Sequence, residues 1–174
     1  MNSYTAEDNS CTACELQVNL DLLRQTNFFA GIPIEKLKVI AYLCTREGFS
    51  PDDDIFRQDE DDGQALLVLS GQARLIRNQG DAVMEIRTYG EGDFLGGLCL
   101  LSPMPRLFTL RAATDLTALI LSRDKFQGVL AQMPELTARI FKTLVDRLRI
   151  WDEQLLATCA DAQSACRVGG ISLI

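Results

Sequence analysis

Residues 92–113 read Gly92-Asp93-Phe94-Leu95-Gly96-Gly97-Leu98-Cys99-Leu100-Leu101-Ser102-Pro103-Met104-Pro105-Arg106-Leu107-Phe108-Thr109-Leu110-Arg111-Ala112-Ala113. The adjacent glycines Gly96 and Gly97 follow a short apolar segment and precede Leu98 to Leu101, room for one helical turn. The first amides of such a turn have no partner within it, and glycine lets a ligand come close to them. Arg106, beyond Ser102 and two prolines, supplies a fixed cationic fork for the same anion. A Gly-Gly turn is also an ordinary tight bend, so the pattern needs support from its surroundings.

Short β segments flank this stretch. Ala65 to Ser70 is a continuous apolar run ending at Gly71, as expected of a buried strand followed by a turn or bulge, and Ala73 to Arg77 continues the sheet. Asn78-Gln79-Gly80-Asp81 is a hairpin signal, after which Met84 and Ile86 alternate with Glu85 and Arg87. Leu107 to Ala112 and Leu116 to Leu121 supply later strands. Even spacing of short strands predicts an antiparallel barrel, β-roll or jelly roll. Before it, Leu20, Leu22 and Leu23 run toward Phe28-Phe29, and Leu37, Ile40, Ala41 and Leu43 recur at helical spacing. The fold class is therefore α+β, mainly β, with helices at both ends.

Ser122 is placed to cap a helix from Arg123 to Ala131, and Pro134 to open another that runs without a breaker to about Asp161. On that long helix Leu144, Leu148, Trp151, Leu155, Thr158 and Ala162 alternate at three and four residues, the seam of a helix that pairs with a second copy. Leu136 and Ile140 are expected to cover the chain's own barrel. Three regions follow: a disordered arm over 1–15, a domain over 16–161 including the dimer helix, and a tail over 162–174.

The 174 residues carry a formal net charge of −7 and no histidine. An acidic chain is poorly suited to nucleic acid or anionic membrane, which are bound through clustered Lys and Arg. Without histidine no Ser-His-Asp or Cys-His nucleophile is possible, and histidine metal ligands are excluded. No catalytic residue and no metal ligand set is assigned. The acids at Asp52 to Asp54 and Asp59 to Asp62 fall in turn-like positions and are expected to be solvated loops. The start of the chain is polar and acidic, no apolar run approaches membrane length, and a soluble cytoplasmic protein is expected. Cys44 and Cys99 lie in apolar runs and are expected to fill core. Cys11 and Cys14 form a Cys-x-x-Cys pair in the polar arm, which keeps open a metal or thiol redox role.

The pattern Gly-Asp-Phe-x-Gly-x-Leu-x-Leu-Leu, then Pro-Arg and Thr before an apolar residue, resembles the phosphate-binding cassette of cyclic-nucleotide-binding domains. The resemblance extends from about Leu23 to Gln154. Within it the long C-terminal helix is similar to the dimer helix of the catabolite activator protein group. Pro51-Asp52-Asp53-Asp54 is similar to the family's Pro-Gly-Glu turn, with Asp52 and Asp59 standing where glycines are usual, and Gly71 matches a regular glycine. The resemblance implies a ligand-sensing or regulatory module, a homodimer, and a ligand set of Gly96, Gly97, Leu98, Arg106, Leu107, Trp151 and Asp152. The ligand it implies is a cyclic nucleotide or another small anion, and a protein partner is possible in principle. Three departures predict poor cyclic AMP binding: Gly97 replaces the glutamate that accepts the ribose hydroxyl, Leu107 replaces a small residue, and Trp151-Asp152 replace hydroxyl residues that reach the purine. No helix-turn-helix follows, so no DNA reader is expected. A rival expectation is a ligand-free protein-interaction scaffold whose pocket is filled by its own side chains, and the resemblance implies a third, an iron–sulfur or thiol redox sensor using Cys11 and Cys14, since some relatives hold a cluster with N-terminal cysteines.

Overall fold

The computed structural model describes residues 6–80 and 82–161, and among them two four-stranded antiparallel sheets face each other as a β-roll. Two helices precede it, α1 (Ala6–Gln25) and α2 (Ile34–Leu43), joined by a single turn over Asn27–Phe29. The strands are β1 (Thr45–Phe49), β2 (Asp54–Phe56), β3 (Gln64–Ser70), β4 (Ala73–Gln79), β5 (Ala82–Tyr89), β6 (Phe94–Leu95), β7 (Thr109–Ala112) and β8 (Leu116–Ser122). Helices α3 (Arg123–Gln132) and α4 (Pro134–Asp161) complete the described chain. One sheet has the order β1-β8-β3-β6 and the other β2-β7-β4-β5.

The continuous apolar run of β3 follows from burial on both faces. Ala65 and Leu67, with Leu119 and Leu121 of β8, pack against the helices, where Leu20, Leu23, Leu37, Ile40, Phe126, Leu136 and Ile140 meet them. Leu66 and Val68, with Leu116, Ala118 and Ile120, turn the other way and meet Phe56, Ala73, Leu75, Leu110 and Ala112 of the second sheet inside the roll. Alternation along each strand thus feeds two cores. β6 divides the same way: Phe94 joins the helical core and Leu95 the roll interior.

The turn chemistry expected from sequence is present. Asp52 and Asp59 adopt φ of 72° and 66°, the left-handed region where glycine is usual and aspartate is among the better-tolerated substitutes. Gly71 has φ of 84°, and a Cβ there would run into the Asp115 carbonyl oxygen, so only glycine fits this bend. Ser122 is the N-cap residue of α3 but makes no side-chain capping bond; its backbone alone enters the helix.

Two elements differ from expectation. α1 begins at Ala6, so most of the stretch expected as a disordered arm is helical. β1 was not foreseen, because Thr45-Arg46-Glu47-Gly48-Phe49 is exposed at its first four positions and shows no apolar alternation; its pairing with β8 from Thr45↔Ile120 to Phe49↔Leu116 defines it. The tail over 162–174 lies outside the described residues, as do the side chains of Cys11, Cys14, Trp151 and Leu155. No helix among the described residues is long and apolar enough to cross a membrane, and among those residues no group of three His, Cys, Asp or Glu is placed to hold a metal.

Candidate functional site

The cassette leaves β6 through Gly96, whose φ of 81° turns the chain into one short helical turn over Gly97–Leu100. The first bonded amide of that turn is Cys99, which donates to the Gly96 carbonyl at 2.9 Å. The amides of Gly97 and Leu98 lie ahead of it and have no acceptor within the turn. Leu98 is exposed, while Cys99 and Leu100 anchor the turn in the core.

Gly96 and Arg106 are fitted to each other. A Cβ on Gly96 would stand 2.7 Å from Arg106 Nη1 and 2.7 Å from the Gln64 carbonyl oxygen. Arg106 is only 6% exposed and lies with its guanidinium carbon 4.0 Å from the centroid of the Phe56 ring. Its Nε donates to Asp62 Oδ1 at 3.1 Å, and Nη2 donates to the same carboxylate at 2.7 and 2.9 Å and to the Gln64 carbonyl at 2.6 Å. Nε and Nη2 are thus engaged, and Nη1 is the arm turned toward the Gly96 bend. The backbone reinforces this: Asp59 N–H donates to the Arg106 carbonyl at 2.8 Å and Arg106 N–H to the Glu60 carbonyl at 2.9 Å.

Asp62 corrects the reading of Asp59 to Asp62 as solvated loop acids, since its carboxylate is the counter-ion of the cassette arginine. Its neighbour Asp61 is bound by Arg123, the first residue of α3, whose Nη1 donates to Oδ2 at 3.0 Å. Arg123 Nε also donates to the Cys99 carbonyl at 2.6 Å, and its backbone N–H to the Gly63 carbonyl at 2.6 Å. The Arg123 guanidinium beside it holds the Asp61 carboxyl below the usual carboxylate range. One acidic loop therefore pins the cassette through two arginines. Behind it lies a recess of about 190 Å³ lined by Asp61, Asp62, Gly63, Gln64, Ser122, Arg123 and Asp124. Three carboxylates against one arginine make that recess a poor place for an anion.

At Gly97 a Cβ would stand 2.7 Å from the Phe28 ring and 3.1 Å from Phe94. The space beside Gly97 is filled by an aromatic cluster in which Phe28 lies 5.0 Å from Phe29, 5.3 Å from Phe94 and 6.1 Å from Phe126 between ring centroids. The sequence places Phe28 at the end of the first helical segment but not against the cassette, a contact spanning some seventy positions of chain that no local pattern encodes. Leu107 departs from the expected role: it is 67% exposed at the surface, so its branched side chain does not narrow an enclosed phosphate bed.

Of the remaining expected residues, Asp152 is exposed on α4. For the dimer seam, Leu136 and Ile140 are buried against the chain's own core, and Leu144 also packs partly against it. Leu148 is exposed, together with Phe141, Val145 and Ile150. Phe141, 67% exposed and seven residues before Leu148, lies on the same helical face as Leu148. Cys44 and Cys99 are free thiols; burial pushes Cys44 up to about 12 and raises Cys99 also, as inert core cysteines require.

The cyclic nucleotide-binding domain family model matches residues 46–133, which spans the roll, the cassette and α3. The chain belongs to the cyclic nucleotide-binding domain family. It is 22% identical over 130 residues to a CRP-like cAMP-activated global transcriptional regulator of Mycobacterium tuberculosis, covering 74% of this chain and 58% of that protein. Among solved structures, the N-terminal domain of a transcriptional regulator from Streptomyces coelicolor A3(2) aligns with a TM-score of 0.70 and 24% identity, covering 76% of this chain and 96% of that one. The regulatory subunit of a cAMP-independent protein kinase A from Trypanosoma cruzi, bound to guanosine, aligns with a TM-score of 0.60 and 20% identity, covering 68% of this chain and 42% of that one. At these identities the structural likeness establishes the fold.

Proposed function

We propose that the protein is a non-catalytic ligand-sensing module whose cassette holds a small anion through Arg106 Nη1 and the amides of Gly97 and Leu98, and which takes cyclic AMP poorly. The observation that supports this most is the fit of Gly96 to Arg106: a left-handed glycine and a buried, ring-backed arginine converge on a turn with unpartnered amides. The turn's first amides and one guanidinium arm remain available to an anion. Because Asp62 already neutralises Arg106, attraction for the anion comes from directed N–H groups more than from net charge. Cyclic AMP is disfavoured by Gly97, which offers no acceptor for the ribose, and by Phe28, which occupies the space a side chain there would enter.

The module acts as a homodimer through the face of α4 bearing Phe141, Leu148, Trp151 and Leu155, with Val145 beside it. Exposed apolar residues continued along a 28-residue helix support this. The acidic charge disfavours DNA, and a cytoplasmic setting suits a chain whose described cysteines are free thiols. Titration calorimetry of phosphate and cyclic AMP into wild type and Arg106→Gln tests the site. Anion binding that depends on Arg106 supports the proposal; anion heats unchanged in the variant refute it and favour the ligand-free scaffold.

A further inference from the structure

The inner wall of the second sheet is apolar at its centre and cationic at its sides. Strand register lays Phe56, Leu110, Leu75 and Arg87 in one row across β2, β7, β4 and β5. Directly paired residues share a face of the sheet. Phe56, Leu110 and Leu75 belong to the roll interior, and Arg87, opposite Leu75 where a bulge interrupts the β4–β5 register, lies on their side of the sheet while its side chain stays exposed. Its guanidinium lies 5.0 Å from the centroid of the Tyr89 ring, and Tyr89, paired with Ala73, packs against the same interior. Arg106 stands over Phe56 at the other end of the row. Two positions beyond Leu75 on β4, Arg77 lies 5.9 Å from the ring centroid of Phe108.

These cations are not equivalent. Arg106 is matched by Asp62, whereas among the described residues neither Arg77 nor Arg87 has a carboxylate oxygen within 4.0 Å. Each is held by an aromatic face and left exposed. Among the described residues, the positive charge of the inner wall that no carboxylate matches therefore lies at Arg87 and Arg77, away from the cassette. The row covers three strand spacings, about 14 Å between its outer Cα atoms, so anions held near its two ends fit within one molecule of nucleotide size.

We infer that Arg87 is a ligand-recognising residue and that the roll takes an organic ligand with two separate anionic groups, one at Arg106 and the cassette amides, the other at Arg87. This rests on the reading of the cassette as an anion site. Tyr89, already under the Arg87 guanidinium, provides an aromatic surface beside the second anion.

Calorimetry of the full chain with adenosine 3′,5′-bisphosphate and with cyclic AMP tests the inference, because the two share adenosine and differ in the separate second phosphate. The bisphosphate is expected to bind about tenfold tighter or more, as one added charge-assisted contact allows. Arg87→Gln should remove most of that preference, Arg87→Lys should retain much of it, and Arg106→Gln should weaken both ligands. An inward charge on an edge strand also discourages strand pairing between molecules. If that is its only role, Arg87→Glu, which keeps an inward charge but of opposite sign, leaves the preference unchanged; if the inference holds, Arg87→Glu reverses it. Equal binding of both ligands, or a preference unaffected by Arg87 substitution, overturns the inference and leaves the cassette reading standing. Binding of neither ligand at millimolar concentration overturns both.

Discussion

Asp62 grips Arg106 through three hydrogen bonds of 2.7 to 3.1 Å to one carboxylate, an ion pair formed by residues 44 positions apart. It fixes which guanidinium arm faces the cassette. Removing one partner of a covered pair leaves the other charge without compensation, which costs about 3 kcal/mol or more. Asp62→Ala is therefore expected to lower unfolding free energy by about that amount in chemical denaturation. Phosphate should stabilise this variant more than wild type, because Arg106 is then an unmatched cation; an equal phosphate effect in both proteins would place the anion elsewhere.

Restoring an acidic side chain at Gly97 is not expected to restore a nucleotide acceptor. The Cβ alone would meet Phe28 at 2.7 Å, and overpacking of this kind costs about 1–3 kcal/mol. Gly97→Glu should thus melt earlier than wild type and gain no affinity for cyclic AMP. A Gly97→Glu variant of native stability with tightened binding would show that the Phe28 cluster yields.

Asp54 gives the fold a defined acid dependence. Its carboxyl is 15% exposed and receives Arg111 Nε at 2.7 Å and Arg57 Nε at 3.0 Å. The Arg111 hydrogen bond, with Arg57 assisting against the opposing effect of burial, holds it below the usual carboxylate range. A depressed folded pKa stabilises above the unfolded value of about 3.9 and is lost as pH falls through the lower folded value. Asp54→Asn should therefore be less stable than wild type at pH 7, and the gap should narrow on acidification below about pH 4. Urea titrations at a series of pH values measure it; a gap independent of pH would remove the ion pairs from the account.

The α4 face predicts that Phe141→Glu and Leu148→Glu raise the monomer fraction in sedimentation over a dilution series. Both side chains are exposed in the single chain, so neither change should alter the circular dichroism of the monomer. A buried aromatic at such an interface contributes about 2 kcal/mol or more, and Trp151→Ala should act in the same direction. An unchanged mass distribution in all three variants would dissociate this face from assembly.

Much of the roll is legible because its signals are local. The apolar run Ala65–Val68, the glycine at Gly71 and the aspartates standing in for glycine at positions 52 and 59 each follow from the backbone geometry of their own few residues. β1 is illegible because an exposed edge strand needs no apolar period, and its definition comes from β8. The cassette arginine is readable from its spacing to Gly96, yet its partner is not, since Asp62 in a run of acids looks like any solvated loop until the fold brings it to Arg106. The same limit hides Phe28 behind Gly97 and turns Leu107 outward. Arg87 shows as an ordinary alternating polar residue, and only its place opposite Leu75 sets it on the inner side of the second sheet.

The central claim is that the cassette is an anion site no longer shaped for cyclic AMP. Titration of cyclic AMP into wild type and Arg106→Ala measures it directly. The loss of one charge-assisted contact at Gly97 amounts to about 1.5–3 kcal/mol, roughly ten- to a hundredfold in affinity, so binding should be weaker than low micromolar. Low-micromolar binding of cyclic AMP to wild type, abolished in Arg106→Ala, would contradict the claim and return the module to ordinary cyclic AMP sensing.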